Sequence, residues 1–230
     1  MAGRPDRLVA VVGTGTEVGK TWVSAAVLSH LRAGGCRVSA RKPAQSFDPA
    51  QDPADTDAAV LGRATGEPAG EVCPPDRWYP AAMAPPMAAR ALGRVGFTVA
   101  ELASEVVASW PHPDRAGLGL VETAGGVRSP QADDGDAVDL VRLLAPDVVV
   151  LVADAGLGTI NAVRLCVDAL APVAEPGGAG GTARLVVVAN RFDPGHDLHR
   201  RNRAWLAEHD GIAALPVPAT VAALGASVLA

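Results

Sequence analysis

Eighteen of the 20 basic side chains in this 230-residue chain are arginine, and only Lys20 and Lys42 are lysine. Where charge alone is needed arginine serves, so a retained lysine marks a place that wants a compact ammonium on a flexible stem rather than a planar fork. Lys20 lies near the end of Gly13-Thr14-Gly15-Thr16-Glu17-Val18-Gly19-Lys20-Thr21. That segment follows an apolar run and opens a helically periodic one, the context in which backbone N–H groups and a helix N-terminus cradle phosphate oxygens. Lys20 would reach the β- and γ-phosphates of a nucleotide, and the Thr21 hydroxyl would hold Mg2+. Five residues separate Gly13 from Gly19 and Thr14 replaces the usual first glycine, so the spacing departs from the strict phosphate loop.

The elements that must position this loop are legible as alternation. Leu8 to Val12 is a continuous apolar run, the habit of a parallel strand buried on both faces. Lys20 to Leu31 has helical periodicity and ends at Gly34-Gly35. Further strands are expected at Arg37 to Ala40, Gly119 to Glu122, Val148 to Ala153, Leu185 to Asn190 and Ala214 to Val217. Helices are expected at Asp55 to Thr65, Met87 to Arg94, Val99 to Ser109, Ala137 to Leu144, Ile160 to Leu170 and Leu198 to His209. The pattern specifies an α/β fold: a single doubly wound domain over residues 1–230, with a mostly parallel sheet and helices on both faces, of the phosphate-loop NTPase type. Pro68 to Pro86 holds six prolines and is expected to run irregularly over the surface, as a substrate loop or a plain connection. Pro172 to Thr182 reads as a flexible Gly/Pro-rich connector.

Composition narrows the partners. Hydrophobic residues make up 49% of the chain and charged residues 20%, a globular balance. Aromatic residues are only 3%, which disfavours a base-stacking platform. Net charge is −5, and the only basic run is His199 to Arg203, so neither nucleic acid nor an acidic membrane is an expected partner. The N-terminus lacks a signal-peptide core, and a cytoplasmic protein is expected. Cys36, Cys73 and Cys166 form no CxxC pair and read as reduced, mostly buried side chains. His196 and His199 read as a solvated helix face rather than a metal pair. Asp133, Asp134 and Asp136 read as an exposed acidic turn.

The loop and the segments after it resemble ATP-dependent dethiobiotin synthetases. GTGTEVGKT resembles that family's GTDTEVGKT, Lys42-Pro43-Ala44-Gln45-Ser46 its KPVxSG, and Asp55-Thr56-Asp57-Ala58 its xSDA. Met83 to Ala89 resembles its apolar P-x-x-A segment, Glu122-Thr123-Ala124-Gly125-Gly126 its EGAGG, Leu157 to Asn161 its LGxIN, and Val188-Ala189-Asn190 its VAN. The landmarks follow in order from about Leu8 to Pro218.

The resemblance implies a reaction in which a carbamate made from CO2 and one amine of 7,8-diaminononanoate is phosphorylated by ATP, after which the second amine closes a cyclic urea. It implies Lys20 and Lys42 as catalytic cations and Thr21, Asp57 and Glu122 as Mg2+ ligands. It places nucleotide on Thr16, Glu17, Val18, Gly19, Lys20, Thr21, Trp22, Asp57, Glu122, Gly125, Asn190, Arg191, Pro216, Val217 and Pro218. It places substrate on Ser46 and Thr16, and on Gly158, Thr159, Ile160 and Asn161 contributed by the partner of a homodimer. Taken singly, Asp57 also reads as a helix-start residue, Glu122 as a strand-end surface charge, and Ser46 and Asn190 as turn residues. Phe47, Thr123 and Ala162 depart from the family pattern and bear on the diamine pocket. The alternatives are a partitioning-type ATPase switch, whose signature lysine would stand at Gly15, a cobyrinate-type ligase lacking room for its glutaminase, and a nucleotide-binding homologue without synthetase activity.

Overall fold

Strand β1 (Arg7–Gly13) is buried from Leu8 onward in the computed structural model, which describes residues 4–110, 117–175 and 183–230. Alternation along it divides the core. Val9 and Val11 pack on one side with Val23, Val27, Leu28 and Leu31 of α1 (Lys20–Ala33). Ala10 and Val12 pack on the other with Val138, Val141 and Val163. A strand covered by helices on both faces can be apolar at every position, which is why it reads as a run rather than an alternation.

The remaining elements follow in chain order: β2 (Val38–Arg41), β3 (Gln45–Ser46), α2 (Asp57–Thr65), α3 (Ala69–Val72), β4 (Trp78–Tyr79), α4 (Pro85–Ala91), α5 (Val99–Ala108), β5 (Leu118–Glu122), β6 (Pro130–Ala132), β7 (Gly135–Asp136), α6 (Ala137–Leu144), β8 (Val148–Asp154), α7 (Thr159–Leu170), β9 (Ala174–Glu175), β10 (Ala183–Asn190), α8 (Asp197–Asp210), β11 (Leu215–Pro216) and α9 (Val221–Leu229). The central sheet has the order β2-β5-β1-β8-β10-β11, with β9 paired to β10, and its pairings are parallel. The fold is therefore the expected α/β sheet with helices around it. Chain direction places the loop after β1, Lys42 after β2, Glu122 at the end of β5 and Asn190 at the end of β10 at the carboxyl ends of the parallel strands, where such folds bind ligands.

Several expectations need correction. Pro68 to Pro86 is not irregular surface: it forms α3, a turn of 3-10 helix at Pro75–Arg77, and β4, and it buries Val72, Cys73 and Tyr79. Pro75 occupies one of the first positions of its turn, where a missing N–H costs nothing, so the apolar residues between the prolines can pack inward. Helix α4 begins at Pro85 for the same reason and ends before Gly93, whose φ is 65°, rather than running to Arg94. Helix α9 was not foreseen, because its sequence is nearly all apolar and shows no periodicity. In the 172–182 connector, Ala174–Glu175 pairs with β10, and residues 176–182 lie outside those described. Asp133 and Asp134 are exposed as expected, while Asp136 caps α6 in a reciprocal box with Asp139. His196 and His199 stack at 4.3 Å, and no group of three or more metal-ligating His, Cys, Asp or Glu is found among the described residues. No helix among these residues is long and apolar enough to cross a membrane.

Candidate active site

The loop after β1 is built for an anion. Helix α1 has no acidic residue in its first turn and no side-chain cap, leaving its leading N–H groups free. Gly19 precedes it with φ 89°, and a Cβ there would stand 2.1 Å from Asn190 Nδ2. Asn190 in turn donates to the Val18 carbonyl at 2.9 Å, and Arg191 donates to the Glu17 carbonyl at 2.8 Å while pairing with Asp154 at 3.0 Å. The end of β10 thus holds the loop's shape. Lys20 curls back to the Gly15 carbonyl at 3.0 Å. Burial, and then the nearby Lys42 charge, lower its pKa from 10.5 to about 8.

Lys42 directly follows β2, which β5 separates from β1 in the sheet, and is 2% exposed. Its Nζ lies 2.7 Å from Asp57 Oδ2, 2.9 Å from Glu122 Oε1 and 3.3 Å from the Thr123 carbonyl. Burial alone would lower its pKa, but Asp57 and then Glu122 outweigh that and hold it above the usual lysine range. Burial likewise works against ionised Asp57, and Lys42, then Thr21 and Lys20, reverse it, so its pKa falls below the usual carboxylate value. Glu122 is 0% exposed and accepts from Ser24 Oγ at 2.8 Å through its other oxygen.

The Thr21 hydroxyl sits 2.8 Å from Asp57 Oδ1 and 2.7 Å from Glu122 Oε1. One hydroxyl carries one proton, so it can satisfy only one of the two acceptors at a time. Thr21 Oγ1, Asp57 Oδ1 and Glu122 Oε1 thus converge, the last also accepting from Lys42, and oxygens grouped in this way could receive a hard cation. Adjacent ligands of octahedral Mg2+ at about 2.1 Å stand about 3 Å apart, close to these separations. Thr21, Asp57 and Glu122 are the residues that could hold such an ion.

A cavity of about 830 Å³ opens over this cluster, lined by Thr16, Glu17, Gly19, Lys20, Thr21, Lys42, Ser46, Asp57, Gly125 and Arg191, among others. Phe47, Ala82, Met83, Ala84 and Pro85 give it an apolar wall. Ser46 Oγ donates to the Met83 carbonyl at 2.5 Å. Val18, Trp22 and Asn190 do not line it: Trp22 is half exposed, and Asn190 is buried behind the loop. Pro216, Val217 and Pro218 pack beside the end of β10, where the Val217 N–H donates to the Ala189 carbonyl. Gly158, Thr159, Ile160 and Asn161 start α7 and stand outside the cavity of this chain. Thr123 is accommodated, since it is fully buried and donates to the Val11 carbonyl; Gly125, at φ 64°, is the glycine the segment requires.

Reading from the sequence missed the polar residues that brace these loops. Gln131 both donates to and accepts from the Ala124 backbone, and Asn202 donates to the Ala155 and Gly156 carbonyls. No local pattern announces them. Ser24 could have been found, because it is a hydroxyl on the buried stripe of α1, one residue from Val23 and three from Val27.

Comparison with known proteins gives this site its lineage. The AAA domain family matches residues 7–218. An ATP-dependent dethiobiotin synthetase BioD of Caulobacter vibrioides is 40% identical over 161 residues, 70% of this chain and 72% of the relative. Proteins of the same name from Acidiphilium cryptum and Anaeromyxobacter dehalogenans are 35% and 37% identical, covering 90% of this chain and 90% and 88% of theirs. Among solved structures, a DUF1611 family protein of Anabaena variabilis superimposes with TM-score 0.53 at 19% identity, covering 98% of this chain but only 56% of that one. The signal recognition particle receptor FtsY of Elizabethkingia anophelis, in complex with GDP, gives 0.52 at 16%, with 94% and 57% covered. At such identities the structural likenesses speak for the fold alone. The sequence matches go further, and by them this phosphate-loop chain belongs to the ATP-dependent dethiobiotin synthetase family.

Proposed function

We propose that the protein is an ATP-dependent cyclo-ligase that makes dethiobiotin from 7,8-diaminononanoate, CO2 or bicarbonate, and ATP. The observation that carries this reading is the second lysine. A phosphate-loop ATPase needs Lys20, Thr21 and a carboxylate, whereas here Lys42, just after β2, is buried against the same carboxylates that Thr21 meets. A second preorganised cation is what a reaction between two anions requires, because negative charge grows where carbamate meets the γ-phosphate.

In this reading a carbamate oxygen attacks the γ-phosphorus and ADP leaves; the second amine then attacks the carbonyl carbon and phosphate leaves as the ring closes. Lys20 and the loop amides hold the phosphates. Lys42 screens the two anions from one another, and Thr21, Asp57 and Glu122 would hold Mg2+, which would supply charge neutralisation. The apolar wall of Phe47, Met83 and Pro85 suits the alkyl chain of the diamine. We further propose that a second copy contributes Gly158 to Asn161 to the diamine's acid tail. Leu157 at 92% exposed and Leu165 at 61% flank that segment and would be covered in the pair.

The test is phosphate release from ATP and bicarbonate with and without the diamine, with the product identified by mass. Diamine-dependent release with formation of the cyclic urea supports the synthetase. Release indifferent to the diamine points instead to an ATPase switch.

A further inference from the structure

Gln45 is a buried side chain of the cavity wall with one end tied and the other loose. It is 2% exposed, and its Oε1 accepts the Ala58 N–H at 3.0 Å, one residue beyond Asp57. That bond fixes the orientation of the amide, since turning it over would set two donors against each other. Nε2 is therefore the free end, and it has no partner. Of the described residues, the other buried side-chain atom without a partner belongs to Arg184, at the start of β10 and on the far edge of the sheet from the site. Buried donors are almost always paired, so one kept unpaired in a binding cavity calls for an acceptor brought by a ligand.

We propose that Gln45 Nε2 donates to a carbamate oxygen of the carboxylated diamine, so that Gln45 and Lys42 grip the same group; this rests on the synthetase reading above. Gln45 comes from β3, which also supplies Ser46, and is anchored on α2, whereas in the reading above the nucleotide oxygens would be met by the loop after β1. Two ammonium groups already supply charge there, and a neutral amide adds direction without a third cation. A donor at this place also discriminates: it pairs with the oxygen of a carbamate and is mismatched to the N–H groups of an amine that has not been carboxylated.

The experiment is titration of the diamine into protein loaded with Mg2+ and a non-hydrolysable ATP analogue, in CO2-free buffer and with bicarbonate. Gln45→Glu keeps an acceptor for the Ala58 N–H but replaces the donor, and Gln45→Met removes both. Wild type is expected to bind more tightly with bicarbonate. Both variants should lose that gain by roughly 10- to 100-fold, the range of a hydrogen bond to a charged group. Affinity for the analogue, and for the diamine without CO2, should stay within about twofold. A Gln45→Glu protein that keeps the bicarbonate gain, with only Gln45→Met impaired, would show a role confined to the Ala58 tie and overturn the proposal. Loss of analogue affinity with the bicarbonate gain intact would assign the acceptor to phosphate and overturn it too. If wild type forms no dethiobiotin, the synthetase reading falls first; if wild type forms it while the variants bind normally, only the role of Gln45 falls.

Discussion

Lys42 does two jobs that pull on the same atoms. Without nucleotide it is the counter-ion of a carboxylate that is 0% exposed, and in the proposed reaction it serves anions that arrive later. Lys42→Gln should therefore lose stability as well as turnover. Removing one partner from a buried pair costs about 3–5 kcal/mol, read as a shift in the urea midpoint of the nucleotide-free protein. The expected loss in product formation is about 3 kcal/mol of transition-state stabilisation, with ATP affinity changed much less. A variant as stable as wild type would contradict the buried pairing. Lys20 offers a pH test. Its pKa of about 8 must rise when phosphates surround it, so nucleotide binding at pH 8.5 should take up a proton, and affinity should fall as pH climbs past 8. Against the unfolded state the sign is the reverse: the depressed pKa means that the folded chain holds fewer protons between about 8 and 10.5, so this group favours folding as pH rises through that window. Calorimetry in two buffers of different ionisation enthalpy reads the uptake; equal apparent enthalpies would remove Lys20 from the phosphate contact.

At the scale of elements, the site depends on how helices begin. The turn before α1 tolerates no side chain, because Gly19 combines φ 89° with the 2.1 Å approach to Asn190. Gly19→Ala should break the Asn190 to Val18 bond and remove ATP binding. Gly35→Ala is the control: its φ is 86° with nothing within 4 Å of an added Cβ, so only backbone strain of about 1 kcal/mol remains. Equal effects of the two on nucleotide affinity would refute the clash. Helix α6 starts at Asp136, whose carboxylate accepts from the Val138 and Asp139 N–H groups. Asp136→Ala should cost about 1 kcal/mol, a fall of about 2–4 °C in Tm, without touching nucleotide affinity.

At the scale of the molecule, the segment that the family reading gives to substrate does not line this chain's own cavity. Leu157, Asn161 and Leu165 recur at four-residue spacing around the start of α7, and both leucines are exposed. If a second copy covers them, Leu165→Asp should turn a dimer into a monomer in sedimentation and raise the KM for the diamine more than that for ATP. A wild-type protein monomeric at assay concentration would remove α7 from the substrate site.

What could be read from the chain alone was whatever is local. A fully buried strand is an apolar run, a phosphate loop needs glycines where backbone turns left-handed, and two lysines among eighteen arginines mark chemistry, so the long strands of the sheet, most of its helices and the candidates Lys20, Thr21 and Lys42 were visible, though the nearly all-apolar α9 was not. Short elements built around prolines were not, because Pro75 and Pro85 read as breaks until their place at the start of a turn is known. Nor was the tying of Lys42 to Asp57 and Glu122, which joins residues 15 and 80 positions apart through parallel strands whose order no local pattern records. The half-satisfied amide of Gln45 belongs with these. Whether a buried donor finds a partner depends on everything packed around it, and only the assembled fold determines that.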